Sequence, residues 1–421
     1  MRLMNTKNFT KIILLTCFLL FCAKSAFAGN PQETYDQVWK LINSKYVDVN
    51  QNGQDWHRWR HKYDSVVRTP EDSYVAIETM LSSLDDPYTR FLDPEEFAEE
   101  SRSISGTLYG IGVQIGLRED KLVVISPIED TPAAKAGLQA NDIILEIQGE
   151  SAKGISIKKA ADQIRGPKGT KVTLLIKRED KEIKFEIMRD KIDVKSVSIK
   201  NPKNSKLDNN IGYIRLNSFL SHTASKEIED AINALKDKDG YILDLRSNPG
   251  GLLSNAIYIS DMFLDSGFIV STVDRDGYKE TQQANSDFVT KKPLVVLIDE
   301  GSASASEILS GALKDNGRAV LVGTKSFGKG LVQEINKLPD GAGINITTQK
   351  YLTPNGTDIN KVGIIPDIEV KNEKEDIENK NDLQLKKAEQ ILKNLISYGK
   401  KAKNEPKVIN SELPIKIIIE K

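Results

Sequence analysis

The sequence predicts a mixed α+β protein of several domains. A β-α core sheet is covered by helices, a strand-rich unit is inserted ahead of it, and a helical segment opens the chain. Three observations carry this reading. From Ile211 onward, strand patterns ("IGYIRLNSF", "GYILDLRSN", "PLVVLIDE") alternate with helical ones ("HTASKEIEDAINALK", "SEILSGALKDNG"), as in a sheet covered by helices. Between residues 101 and 190 the pattern is instead short strands parted by turns, with two short helical stretches, "TPAAKAGL" and "SIKKAADQIRG". Finally, 421 residues exceed one ordinary core, and 39% hydrophobic with 28% charged residues suits a soluble globular chain.

The elements follow in chain order. Arg2, Lys7 and Lys11 precede an apolar run from Ile12 to Ala23, and "AFA" closes the segment at Ala28. This reads as a secretory signal peptide cleaved after Ala28, too short to span a bilayer comfortably. Bulky Phe21 ahead of Cys22 argues against a lipoprotein anchor. Both cysteines, Cys17 and Cys22, fall inside this segment, so the mature chain has no disulfide, thiolate nucleophile or thiolate metal site. That pattern suits a bacterial periplasm. The net charge of −1 gives no sign of a nucleic-acid partner.

Residues 29–100 form the helical segment. Tyr35, Val38, Trp39, Ile42 and Tyr46 have helical spacing, and "EDSYVAIETMLSSL" is a further helix. Trp56, His57, Trp59 and His61 read as packing residues of a helical hairpin, and "DDPYTRFLDPEEF" as a turn-rich connection. Residues 101–190 are the strand-rich insert and 191–372 the core. Residues 373–421 are a tail with one helix, "NDLQLKKAEQILKNLI".

The candidate chemistry lies in the core. "GSASASE" (Gly301 to Glu307) follows a buried strand and opens a helix. Ser304 with Glu307 is a capping box, and that structural role competes with a catalytic one. A helix N-terminus also offers free N–H groups, and the amide of Ala305 would face a developing oxyanion. A serine nucleophile needs a base. His57, His61 and His222 lie in no motif suggesting a Ser-His-Asp triad. Lys329, between two glycines in "TKSFGKGLVQ", is the alternative. Glycines let other backbone approach and exclude water, and burial lowers an amine's proton affinity. In an extended segment Gln333 shares its face and would orient it. "LRSNPGG" offers an unobstructed amide at Gly250.

Taken together these stretches resemble the carboxyl-terminal processing peptidases, or tail-specific proteases. In that family the middle serine of Ser-Ala-Ser-Ala-Ser-Glu is the nucleophile, followed 25 residues later by the lysine of Phe-Gly-Lys-Gly and four residues on by a glutamine. Ser304, Lys329 and Gln333 meet both spacings. The resemblance extends through "DPYTRFLDPEEF", "YLTPNG" and "VGIIPDIEV", with Glu300 where asparagine is expected. It implies a serine endopeptidase with a Ser304–Lys329 dyad, Gly250 and Ala305 as oxyanion donors, and no cofactor. The insert resembles a PDZ domain, which implies that "YGIGVQI" (Tyr109, Gly110, Ile111, Gly112, Val113) binds a substrate's terminal carboxylate, with the helix around Ile157 to Ile164 as the opposite wall and Arg165 after it in reach of the protease domain. The implied partners are proteins or peptides with free apolar C-termini. A homodimer, built on the N-terminal helices or "IKIIIE", and an adaptor protein also fit. The rival readings are a non-catalytic PDZ chaperone or adaptor, and a lyase or hydratase of small acyl thioesters on a related fold.

Overall fold

The computed structural model describes residues 30–404 except 106, 119–120, 129–130, 140, 194, 203–204, 287, 374–375 and 377–380. The expected signal segment and "IKIIIE" therefore lie outside the described residues. Among these, no helix is long and apolar enough to cross a membrane. The chain forms two compact units: residues 101–196 with 220–227, and the remainder.

The larger unit holds two sheets. The first has the strand order Val197–Ser198, Ile211–Leu216, Gly240–Asp244, Leu294–Ile298, Val320–Gly323, Ile368–Glu369. Every pairing but the first is parallel. Its central strands are buried along their whole length, which accounts for unbroken apolar runs such as "LVVLI". Helix Leu383–Asn404 packs Leu385, Ala388 and Leu392 on one face, against Ile242, Val295 and Val322. The alternate residues Leu243, Val296 and Leu321 point to the other face and are equally buried. Three loops, 245–252, 299–304 and 324–330, leave the carboxyl ends of adjacent parallel strands. In open α/β sheets this is where ligand sites form.

The second sheet is antiparallel, in the order Arg90–Leu92, Gly343–Leu352, Phe268–Asp274, Lys279–Gln283, with Leu331–Lys337 also paired to Gly343–Leu352. The N-terminal helices Pro31–Lys45 and Pro70–Ser82 share a core with it, packing Tyr35, Val38, Ile77 and Met80 with Ile344 and Ile346. Between the two helices Trp56 and Trp59 are buried in one 3-10 turn while His57 and His61 are exposed. The two tryptophans therefore pack, as expected, but in a single turn of the connection rather than a helical hairpin, while the two histidines, also expected to pack, stay exposed.

The smaller unit is an antiparallel sheet in the order Val113–Arg118, Lys121–Pro127, Ile143–Ile147, Lys171–Arg178, Lys181–Met188. Its core packs Ile111, Val124, Ala133, Ile144, Ala160 and Val172. Helix Ile157–Ile164 lies against the edge strand Val113–Arg118. The stretch "GIGVQI" is not one continuous strand. Tyr109 and Gly110 belong to strand Thr107–Gly110, paired with Asp190–Asp193, and the chain turns at Ile111 and Gly112 before resuming.

Candidate active site

The three serines of "GSASASE" divide cleanly. Ser302 is buried and donates to the Leu245 carbonyl at 2.9 Å. Ser306 is buried and donates to the Asn248 carbonyl at 2.9 Å. Both hydroxyls thus pin the serine loop to the neighbouring "LRSNPGG" loop. Ser304 alone of the three is partly exposed. It caps helix Ala305–Asp315 with φ 53° and ψ −113°. A non-glycine residue at positive φ is strained, and such strain gathers at functional turns. Strand, sharp turn and helix present a nucleophile in this way in unrelated hydrolases.

Glu307 organises the surroundings. It is almost fully buried, yet its carboxylate meets five donors. Oε1 accepts from Ser326 Oγ and the Gly328 amide, each at 2.6 Å. Oε2 accepts from the Ser304 amide at 2.8 Å and the Lys329 amide at 2.9 Å, with the Tyr351 hydroxyl 3.5 Å away. One oxygen atom therefore ties the backbone of Ser304 to that of Lys329. Sequence reading saw only the capping box, of which this Glu307-to-amide contact is one half.

The glycines beside Lys329 do admit other backbone. A methyl on Gly330 would lie 2.6 Å from the Asn360 nitrogen, and one on Gly328 would lie 3.0 Å from the Gly363 nitrogen. Among the described residues, Lys329 Nζ has no hydrogen bond or ion pair; the Tyr88 ring centroid is 4.6 Å from it. Burial pushes the Lys329 amine below its ordinary value. The charge of Asp86 opposes this, Arg90 reinforces it, and Glu100 and Glu307 oppose it. An amine held this way is prepared to accept a proton.

Two expectations need correction. Gln333 does not lie along the Lys329 face by simple alternation, because a β-bulge falls between Val332 and Gln333. Its amide instead donates to Thr347 Oγ1 at 3.4 Å. The Gly250 amide is not free: it donates to Asn248 Oδ1 at 2.9 Å, an Asx turn. Gly250 still walls the site. A methyl there would sit 2.6 Å from the Ala303 carbonyl oxygen and 2.9 Å from both the Ala305 nitrogen and Ser304 Cβ. The Ala305 amide has no acceptor among the described residues.

Asn248 was not singled out from sequence. Besides Gly250 and Ser306, it receives the Ala303 amide at 3.0 Å and donates to the Leu216 carbonyl at 2.7 Å. Asp299 latches the same loops, accepting from the Ser247 amide at 2.6 Å. Below them Asp244 is fully buried. Burial would raise its carboxyl, but Arg246 at 2.7 Å, with Arg215 and Tyr213, holds it below the usual range. Glu300, the residue that departs from the family pattern, accepts from Thr324 Oγ1 at 2.8 Å.

In the smaller unit the Ile111 and Gly112 amides have no acceptor among the described residues. The Gly112 carbonyl is held by the Ile128 amide at 2.9 Å and Thr131 Oγ1 at 3.0 Å, and the Ile111 carbonyl by the Ala133 amide at 2.7 Å. This fixes the turn with two N–H groups available beside an edge strand. Gly112 has φ +74°, and a methyl on it would lie 2.4 Å from Thr131 Cβ, so only glycine fits. Tyr109 is exposed and Gly110 buried. Arg165 follows the helix, its backbone close to Gly110.

A partly exposed serine on a helix N-terminus, a half-buried lysine and an insert with two unpaired N–H groups among the described residues beside an edge strand are the features expected of a serine endopeptidase carrying a PDZ domain. Comparison with known proteins gives the particular family. Residues 210–370 match the model of peptidase family S41, and residues 123–178 match that of a PDZ domain. The chain is 42% identical over 388 residues to a carboxyl-terminal-processing protease of Synechocystis, covering 90% of each chain. It is 40% identical over 366 residues to the carboxy-terminal processing protease CtpA of Bacillus subtilis, covering 85% of this chain and 75% of that one. Among solved structures it resembles a photosystem II D1 C-terminal processing protease, with a TM-score of 0.55 and 32% identity over 82% of this chain and 94% of that one. The chain belongs to peptidase family S41, among its carboxyl-terminal processing proteases.

Proposed function

We propose that this protease is exported, captures the free C-terminus of a protein in its PDZ domain, and cleaves the tail with a Ser304–Lys329 dyad. The observation that carries the dyad is the shared Glu307 oxygen, which holds Ser304 and Lys329 together on the backbone. The incoming peptide adds a strand beside Val113–Arg118, its carboxylate accepting from the Ile111 and Gly112 amides. Neutral Lys329 takes the proton from Ser304 as Oγ attacks the scissile carbonyl. The Ala305 amide donates to the oxyanion. Gly250 can add a second bond only by releasing Asn248 Oδ1. The Lys329 ammonium then protonates the leaving amine, and the neutral amine activates water to hydrolyse the acyl-enzyme. The apolar run before Ala28 and the cysteine-free remainder support export to a bacterial periplasm.

The test is cleavage and binding of one peptide in acid and amide forms. Ser304→Ala should abolish cleavage and leave binding intact, whereas Ser302→Ala and Ser306→Ala should cleave. The amide should bind more weakly, because charge-assisted bonds to N–H are lost. Normal cleavage by Ser304→Ala refutes the nucleophile, and equal affinity for both peptides refutes carboxylate capture.

A further inference from the structure

The segment "DDPYTRF" reads locally as a turn, and the cleavage mechanism assigns it nothing. In the fold it supplies an aromatic contact to the Lys329 amine: the face of Tyr88, 4.6 Å from Nζ to the ring centroid. We propose that Tyr88 is a further catalytic residue, whose ring face stabilises the positive charge that develops on Lys329 as it takes the proton of Ser304. This rests on the Ser304–Lys329 reading.

The placement of Tyr88 is built. Asp86 accepts from the Tyr88 amide at 2.9 Å and from Thr89 Oγ1 at 2.7 Å. Thr89 is buried, and its Oγ1 accepts from the amide of buried Thr347 at 3.0 Å. Thr347 Oγ1 in turn accepts from Gln333. The next residues, Arg90–Leu92, are locked as a strand on Gly343–Asn345. Gln333 thus meets the base indirectly, through the network that carries Tyr88.

The chemistry explains why a ring suits this place. In the first step the Ser304 O–H bond breaks, Oγ bonds to the carbonyl carbon, and the proton joins the Nζ lone pair. In the next, that proton passes to the leaving nitrogen. A carboxylate in direct contact would hold the proton too firmly for the second transfer. An aromatic face within about 6 Å attracts the ammonium more weakly and also keeps water off it. The groups facing the amine are balanced in the same sense. Burial lowers its proton affinity, with Arg90, while Asp86, Glu100 and Glu307 raise it.

The experiment compares kcat and KM against pH for the full chain with Tyr88→Phe, Tyr88→Leu and Tyr88→Ala, each checked by thermal melting. Tyr88→Phe keeps the ring and should stay within about twofold of wild type. Tyr88→Leu keeps apolar volume without a π face. It should lower kcat about tenfold, the worth of one such contact, leave KM unchanged, and move the acid limb to lower pH. Tyr88→Ala admits water and should move that limb to higher pH. Tyr88→Met repeats the Leu test if that variant does not fold. Leu or Met behaving like Phe in rate and limb overturns the proposal, as does Phe falling as far as Leu, which would assign the role to the hydroxyl. Wild-type cleavage by Lys329→Met overturns the dyad itself, an outcome distinct from a failed ring.

Discussion

Replacing Glu307 by Gln tests whether one carboxylate holds the proposed nucleophile and base. The carboxylate accepts on both oxygens, whereas an amide accepts on one. In the less damaging orientation the Gln nitrogen faces Ser326 Oγ, which can turn to accept, and the Gly328 amide, which cannot. One buried N–H is then orphaned, at about 1–3 kcal/mol, and the surviving bonds from Ser304 and Lys329 lose their charge assistance. We expect the fold to lose about 2–4 kcal/mol by denaturant titration. The Gly328–Lys329 turn should shift away, and an error near 1 Å at the reacting groups costs about 100-fold in kcat. Removing a negative charge also lowers the proton affinity of Lys329, so the acid limb of the rate profile should move to lower pH. The assay is kcat against pH on one peptide, with binding to the PDZ domain as control. A variant of wild-type stability and wild-type kcat would refute the junction. A fall in kcat with an unmoved limb would leave Glu307 a packing role alone.

Gly250→Ala should lower kcat by about 100-fold with little change in peptide binding, because its methyl would lie 2.6 Å from the Ala303 carbonyl at φ +95°; wild-type turnover would show that the wall can give. Lys329→Met should end cleavage yet raise Tm at neutral pH, since an amine that burial holds below its ordinary value costs stability while the unfolded chain binds the proton more readily. In wild type that cost fades as pH rises toward about 10, so the Tm advantage of the variant should shrink over the same range, and an unchanged Tm would count against burial.

Spacing made the sheet and the insert legible and singled out Ser304 and Lys329, because those are properties of neighbouring residues or of a shared pattern. What it missed lies in contacts between distant segments. Ser-x-x-Glu announced a cap, but nothing local shows Glu307 reaching Ser326, Gly328 and Lys329. "DPYT" announced a turn, but not that Tyr88 ends over an amine far along the chain. Gln333 was misplaced because a bulge breaks the two-residue alternation, and its sequence carries no bulge signal. The present partner of the Gly250 amide was foreseeable. Asn two residues before a glycine is an Asx-turn signal, and it occupies the very amide that was read as free.

These contacts also explain how the site tolerates its own instability. A strained serine costs about 1–3 kcal/mol, and a half-buried lysine with no ion pair among the described residues adds to that. Neither is held by itself. The Ser304 amide is fixed by Glu307, and its carbonyl accepts from the amides of Glu307 and Ile308 at 2.8 and 3.0 Å. On either side, Ala303 and Ser306 are bonded to the Asn248 carbonyl. The turn is therefore over-determined except at the Ser304 hydroxyl and the Ala305 amide. Changes at Asn248 or Glu307 loosen that determination and should register in kcat. Changes at Ile111–Val113 lie in the separately compact unit and should register in substrate affinity.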